Sequence, residues 1–320
     1  MRRALASIAA ATLALALAGC GGSSGPDVKT QGGNAQLTVG TIPIVDVAPI
    51  YLGKQKGFFT KRHIDLTLKT AAGGAAIVPS VMSGEYQVGF SNFTSLLLAR
   101  DKGLPLTVVA NGVSSTGVQG KDFGAIVVGK GSPAQTAKDL AGKRVAVNTL
   151  KNIGDTSVRA SVRKAGGNPG SIKFVELPFP DMPAALAGGR VDAEFIVEPQ
   201  LSQVLAAGAR VLTSTFVDVA PNLSVAGWFV NEKLLKSDKG LVARFVEAIR
   251  ESNAYADAHP DEVRQILSQY TKISADLAPK LTLPKWPAEI NRTSVATVAR
   301  LATDDKVLSK TPDLTALYAS

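Results

Sequence analysis

Residues 83–103 read SGEYQVGFSNFTSLLLARDKG, and residues 188–208 read GGRVDAEFIVEPQLSQVLAAG. The two stretches align at one constant offset, which pairs Gly84 with Gly189, Phe90 with Phe195 and Gly103 with Gly208. Each reads as a glycine stop, a short apolar strand, a loop and an amphipathic helix, closed by a second glycine where the backbone must turn left-handed. Glycine matches alone would carry little, because every helix stop favours glycine. Here strand, loop and helix recur with them, and a repeat of this size, unlike the short periods of solenoids, describes two similar lobes.

Outward from the first copy, short apolar runs alternate with amphipathic segments bounded by glycine, the pattern of an α/β fold with parallel strands. Strands are expected at residues 37–42, 64–68, 87–90 and 106–110, with helices at 49–56, 77–83 and 94–102. Around the second copy the order repeats: strands at 144–148, 172–176 and 193–197, helices at 155–165, 181–188 and 199–206. A strand at 224–230 then leads into helices at 239–258, 261–270, 274–281 and 288–303, with Ser237 as N-cap of the longest. The expected organisation is lobe 1 from residues 37–121 plus 222–320 and lobe 2 from 122–221, joined by two crossings near 121–124 and 221–224 that form a hinge.

The length of 320 residues, with 45% hydrophobic and 19% charged content, excludes extended disorder. A single cysteine, Cys20, excludes an internal disulfide, a Cys-x-x-Cys redox pair and a cysteine-built zinc site in a monomer. Arg2 and Arg3 precede an apolar run over 4–18, too short for a comfortable membrane span, so residues 1–19 read as an export signal. It ends in Leu17-Ala18-Gly19-Cys20, which resembles the bacterial lipobox and implies a lipid anchor on Cys20; the alternative is an ordinary signal peptide with a chance cysteine. Residues 20–36 read as a flexible, lipid-anchored tether of roughly 20 Å. Part of the net charge of +9 belongs to the signal, and the remaining basic residues are scattered without interleaved aromatics, which argues against nucleic acid.

In open α/β sheets, ligands bind beyond the carboxyl ends of strands, where helix N-termini direct unpaired N–H groups into the crevice. In lobe 1 this selects Asp46 and Val47, then Gly74 and Ala75, then Ser91, Asn92, Phe93 and Thr94. In lobe 2 it selects Asn148 and Thr149, Gly154, Asp155 and Thr156, Asp181, and Glu198 with Pro199. Asp155, Asp181 and Thr94 have an alternative reading as plain helix N-caps, and Asp46 as a turn former. Phe93 and Phe179 can stack on a ligand, whereas Phe90 and Phe195, inside strands, read as core. Lys151 is the one basic residue in these loops, so an anion would rest on helix N-termini and hydroxyls, while Asp46 or Glu198 holds a cationic or N–H-donating end.

Five strings in order carry a family resemblance: VGTIPIVDVAPIYLGKQKGFF from Val39, GGAAIVPSVMSGEYQVGFSN from Gly73, LLLARDKGLPLTVVA from Leu96, LAGKRVAVN from Leu140 and GGRVDAEFIVEP from Gly188. Together they resemble the nitrate/taurine/alkanesulfonate-binding family of ABC-transporter solute-binding lipoproteins, related to the thiamine-pyrimidine synthases. The resemblance implies the type II periplasmic-binding-protein fold, capture of a small molecule between two lobes, and delivery to a membrane permease from the outer face of the cell membrane. Glu198 resembles the glutamate of that family's aromatic-Glu-Pro motif, with Val197 in place of the aromatic residue. An organosulfonate or aminosulfonate such as taurine is the expected ligand, ahead of nitrate; the alternatives are a pyrimidine-type thiamine precursor in the same transport role, or a ligand-sensing adaptor. No enzymatic activity, cofactor or metal is expected, and the chain is expected to be a monomer. The synthases' cysteine-rich motif has no counterpart in a mature chain whose one thiol is lipidated, and neither histidine flanks a hydrolase motif.

Overall fold

A computed structural model describes residues 28–319; the expected export signal and Cys20 lie outside them. The first sheet takes β1 (Thr30–Gln31), β2 (Asn34–Thr41), β3 (Ile64–Thr70), β4 (Val88–Asn92) and β5 (Leu106–Ser114). Between these strands run α1 (Ala48–Gln55), α2 (Gly74–Ser83) and α3 (Phe93–Asp101). The chain then enters a second sheet of β6 (Gly124–Val128), β7 (Arg144–Val147), β8 (Lys173–Glu176), β9 (Ala193–Val197) and β10 (Arg210–Thr213). Its helices are α4 (Ile153–Lys164), α5 (Met182–Ala187), α6 (Gln200–Ala206) and α7 (Thr215–Val219). A return strand, β11 (Ser224–Asn231), rejoins the first sheet and is followed by α8 (Glu232–Ser237), α9 (Lys239–Ala258), α10 (Pro260–Ile266) and α11 (Arg292–Asp304).

The first sheet runs β3-β2-β4-β11-β5 with β1 hairpinned onto the start of β2, and the second runs β10-β6-β9-β7-β8. Sequence reading expects parallel strands, and β2, β3 and β4 are parallel, as are β7, β8 and β9. Apart from the β1 hairpin, the exceptions are the strands that follow a passage between sheets. β11 is antiparallel to β4 and β5, and β6 to β9 and β10. The two passages lie side by side: the Ser115 N–H donates to the Leu223 carbonyl at 2.8 Å.

Local chemistry sets the helix starts. Asn92, Asn152, Asn231 and Asn291 each accept a backbone N–H at the start of a helix, and Asp238, not the expected Ser237, caps α9. Two further expectations are corrected. Residues 30–36, read as tether, form the β1–β2 hairpin, because Gly32 and Gly33 take the positive φ values (59° and 84°) of a two-residue turn. Residues 274–281 hold only a three-residue 3₁₀ turn at Ala278–Lys280, where Pro279 removes a helical donor. β6, β10, α7 and α8 go beyond the sequence reading: β6 follows directly on the crossing expected at 121–124, and β10, α7 and α8 span only four to six residues.

Each lobe has an aromatic spine. In lobe 1, Phe90, Trp228, Phe245 and Phe59 follow one another with ring centroids 5.1, 6.0 and 5.8 Å apart. In lobe 2, Phe179, Phe195, Phe216 and Phe123 follow at 6.2, 5.6 and 5.1 Å. Among the described residues, no helix is long and apolar enough to cross a membrane.

Candidate ligand-binding site

Both spines reach the crevice between the sheets. A cavity of about 30 Å³ lies there, lined from lobe 1 by Ile42, Ile44, Asp46, Phe90, Asn92, Val225 and Ala226. Lobe 2 contributes Asn148, Ile153, Phe179, Phe195, Val197 and Phe216. That volume holds at most a few water molecules, so any organic ligand requires the lobes to part or the walls to shift.

The lining is apolar except for three side chains, Asp46, Asn92 and Asn148. Asp46 lies in a one-turn 3₁₀ helix at Val45–Val47 that enters α1. Its main chain is fixed on both sides: the Trp286 indole donates to the Asp46 carbonyl at 2.9 Å, and the Tyr270 hydroxyl donates to the Ile44 carbonyl at 3.2 Å. The residue is 4% exposed and its Oδ1 is buried with no hydrogen-bond partner. Burial pushes that carboxyl up to about 7, opposed by its own backbone N–H and reinforced by the charge of Asp122. Asn92 bridges the lobes: its Oδ1 accepts the Ser95 N–H at 2.9 Å within α3 and the Ile153 N–H at 3.3 Å at the start of α4. Asn148 accepts from the Asn152 amide at 2.8 Å.

Other candidates surround the cavity without lining it. Thr94 and Thr156 face each other across the lobes, Oγ1 to Oγ1, at 3.4 Å. Ser91 is fully buried with an unpartnered Oγ, and lies so close to Gly74 that a Cβ there would fall 2.2 Å from that oxygen. A Cβ on neighbouring Gly73 would fall 2.5 Å from Thr149 Oγ1, so glycine is what lets lobe 1 backbone approach lobe 2 here. Gly154 admits the Phe195 ring in the same way.

The remaining candidates lie elsewhere. Val47 and Phe93 are buried in lobe 1, the Phe93 ring against Gly227, and Ala75 is half-buried. Asp155 is no N-cap; it sits in the first turn of α4, accepting from the Lys151 N–H and pairing with Arg159 at 3.0 Å. Asp181 is exposed and makes no cap bond. Thr94 follows the cap Asn92 by two residues. Glu198, joined to Pro199 by a cis peptide bond, accepts from Ser202 N–H (3.0 Å), Ser202 Oγ (2.9 Å) and Thr282 N–H (3.1 Å). Burial raises its carboxyl to about 7 against those donors. Its own backbone carbonyl accepts the Val45 N–H at 3.0 Å, so Glu198 braces the Asp46 turn from lobe 2.

Of the aromatic wall, sequence reasoning picked out Phe179 but assigned Phe90 and Phe195 to the core and missed Phe216. The pairing of Phe90 with Phe195 in the repeat was the available signal, whereas Phe216 lies on α7, a five-residue helix with no periodic pattern.

The architecture is that of the periplasmic-binding-protein fold. It is shared with the alkanesulfonate-binding protein SsuA from Xanthomonas axonopodis pv. citri bound to MOPS, at a TM-score of 0.75 and 19% identity over 89% of this chain and 98% of that one. The NMT1/THI5-like family profile matches residues 44–263, and the chain belongs to that family. The taurine-binding periplasmic protein of Escherichia coli is 27% identical over 190 residues, covering 59% of this chain and 56% of that protein. A 4-amino-5-hydroxymethyl-2-methylpyrimidine phosphate synthase of Saccharomyces cerevisiae is 21% identical over 225 residues, covering 66% of this chain and 64% of the synthase. The chain thus spans less than two thirds of the length of these curated relatives.

Proposed function

We propose that this chain is the extracytoplasmic solute-binding component of an ABC-type importer and that it captures a small organic molecule bearing an N–H-donating nitrogen. The carrying observation is the cavity lining: an unpartnered buried carboxyl oxygen on Asp46, two asparagines, four phenylalanines and no basic side chain. A buried carboxyl without a partner costs roughly 1–3 kcal/mol, which a ligand N–H recovers on binding. The aromatic wall favours a flat, apolar body with Asp46 at its nitrogen-bearing edge, a description that suits an aminopyrimidine. The yeast relatives are named for that chemistry as synthases, but the cavity lining offers no nucleophile activated by a base, and the reading here is binding without catalysis.

A second reading is an aminosulfonate such as taurine, favoured by the taurine-binding relative. Its ammonium would pair with Asp46, and its sulfonate would rest on the N-termini of α3 and α4 beside Thr94 and Thr156. Closure about the two passages then traps the ligand between lobes, with a permease as the partner for delivery. Cys20 anchors the body by lipid; a C20S variant is expected to be released from the membrane fraction.

Calorimetric titration with 4-amino-5-hydroxymethyl-2-methylpyrimidine, taurine, ethanesulfonate and nitrate tests the ligand class. One of the two nitrogen-bearing compounds is expected to bind. Binding of ethanesulfonate or nitrate alone would sink the reading.

A further inference from the structure

The helix α11 starts at the second passage and ends at lobe 2. At its start, the Ser224 N–H donates to Ser294 Oγ at 3.0 Å, and the Asn291 side-chain amide donates to the Asn222 carbonyl at 3.1 Å. Along its length it packs on α3 and β11 of lobe 1 and also on α4 and α7 of lobe 2. At its end, Asp305 pairs with Arg163 of α4. The Asp305 side chain is 4% exposed and its Oδ2 has no partner, while Arg163 is 36% exposed. The other charged groups nearby, Asp155 and Arg159, are paired with each other within α4.

We propose that Arg163 and Asp305 form a lock that sets the balance between closed and open lobes from outside the ligand cavity. Parting the lobes separates Asp305 from its cation but returns it to water. The closed arrangement therefore holds a desolvated carboxylate whose charge is compensated across the lobe boundary. Removing one partner of such a pair is far more costly than removing both, because the survivor is left buried and uncompensated. The two ends of the lock are accordingly unequal. Loss of Arg163 penalises closure, whereas loss of Asp305 removes the penalty together with the bond.

The lock is independent of ligand identity and is tested without ligand. Spin labels on K102C and K173C, in a C20S background, report the interlobe distance by double electron–electron resonance; both positions are exposed, at the ends of α3 and β8 remote from the cavity. R163A is expected to raise the open fraction about tenfold. D305A stays near wild type, and the double variant R163A/D305A returns to the short distance. An R163A distribution identical to wild type, or a double variant as open as R163A, would overturn the proposal. Should R163A fail to fold, wild type and D305A are compared between about 10 mM and about 1 M salt, where the screening length falls from about 30 Å to about 3 Å. High salt then lengthens the distance in wild type only; equal lengthening in D305A would overturn the lock.

Discussion

The strand and helix of residues 83–103 and those of residues 188–208 share a backbone and differ in what they present to the crevice. β4 (Val88–Asn92) and β9 (Ala193–Val197) occupy corresponding positions, and the flanking glycines are left-handed in both copies, with φ of 84° and 83° in the first, 65° and 93° in the second. Phe90 and Phe195 correspond and both line the cavity, one from each lobe. After the strand the copies diverge. Asn92 turns its amide to two helix N-termini, whereas the corresponding Val197 is apolar and the following Glu198 is directed at Ser202 and Thr282. One backbone device thus presents Phe90 and the polar Asn92 from lobe 1, and Phe195 and the apolar Val197 from lobe 2. Direction of recognition is written in side chains that a repeated fold leaves free to change.

The matched phenylalanines give the strongest test of equivalence. Each is about 1% exposed and sits in an aromatic spine, so Phe90→Ala and Phe195→Ala are each expected to cost about 3–5 kcal/mol in denaturant unfolding. A large loss for one and a small loss for the other would break the comparison.

The neighbouring pair sharpens it. A Cβ on Gly89 would fall 2.6–2.7 Å from Phe229 and Ile77, but the corresponding position in lobe 2 carries Glu194, fully buried, with both carboxyl oxygens unpartnered. Burial raises the Glu194 carboxyl from 4.5 to about 8. The folded state therefore holds a proton that the unfolded chain has released, so stability is greatest below pH 4.5 for this group and falls as pH rises through about 8. Asp46 and Glu198, both raised to about 7, add to the same trend. Thermal unfolding of Glu194→Gln should lose a slope on the order of a few kcal/mol across that window. An unchanged pH profile would show that Glu194 is hydrated or paired in solution.

Much of the architecture was legible in advance because it rests on patterns that need no partner. β4 and β9 are short, mainly apolar strands preceded by a left-handed glycine and followed by a helix that ends at another, and α9 shows its stripe at Leu241, Phe245 and Ile249. The site was legible only as a set of loops. The rule that strand ends face the crevice located Asp46, Asn92 and Asn148, but it says nothing about which side chain of a loop turns inward. Asp155 and Glu198 sit in the right loops and are held by Arg159 and by Ser202 and Thr282, partners that only the folded chain brings near. Of the aromatic lining Phe179 was legible, but Phe90 and Phe195 were hidden for the opposite reason: they have the pattern of ordinary core.

The two acidic candidates can be separated by binding. Asp46→Asn replaces the acceptor that faces the cavity and is expected to weaken the responsive ligand of the panel by about 10- to 100-fold, on the order of 1.5–3 kcal/mol. Glu198→Gln alters a group directed at Ser202 and Thr282, and should lower stability while changing affinity by less than about threefold. The reverse order of effects would move the recognition carboxylate to lobe 2 and invert the division of labour between the copies.

The smallest expected effect lies at the helix caps, where the division is again testable. Asn152→Ala removes a cap confined to lobe 2, whose Oδ1 accepts from Gly154 and Asp155 N–H, and should cost about 1 kcal/mol of stability. Asn92→Ala removes the same kind of cap from α3 and also the bond to the Ile153 N–H in the other lobe. Its stability cost should be similar, because the Ile153 N–H regains water when the lobes part. Its distinct signature is in closure: Asn92→Ala should open the lobes in scattering or interlobe distance measurements, and Asn152→Ala should not. Equal opening in both variants would mean that the Ile153 bond contributes nothing to closure and that Asn92 is a cap like any other.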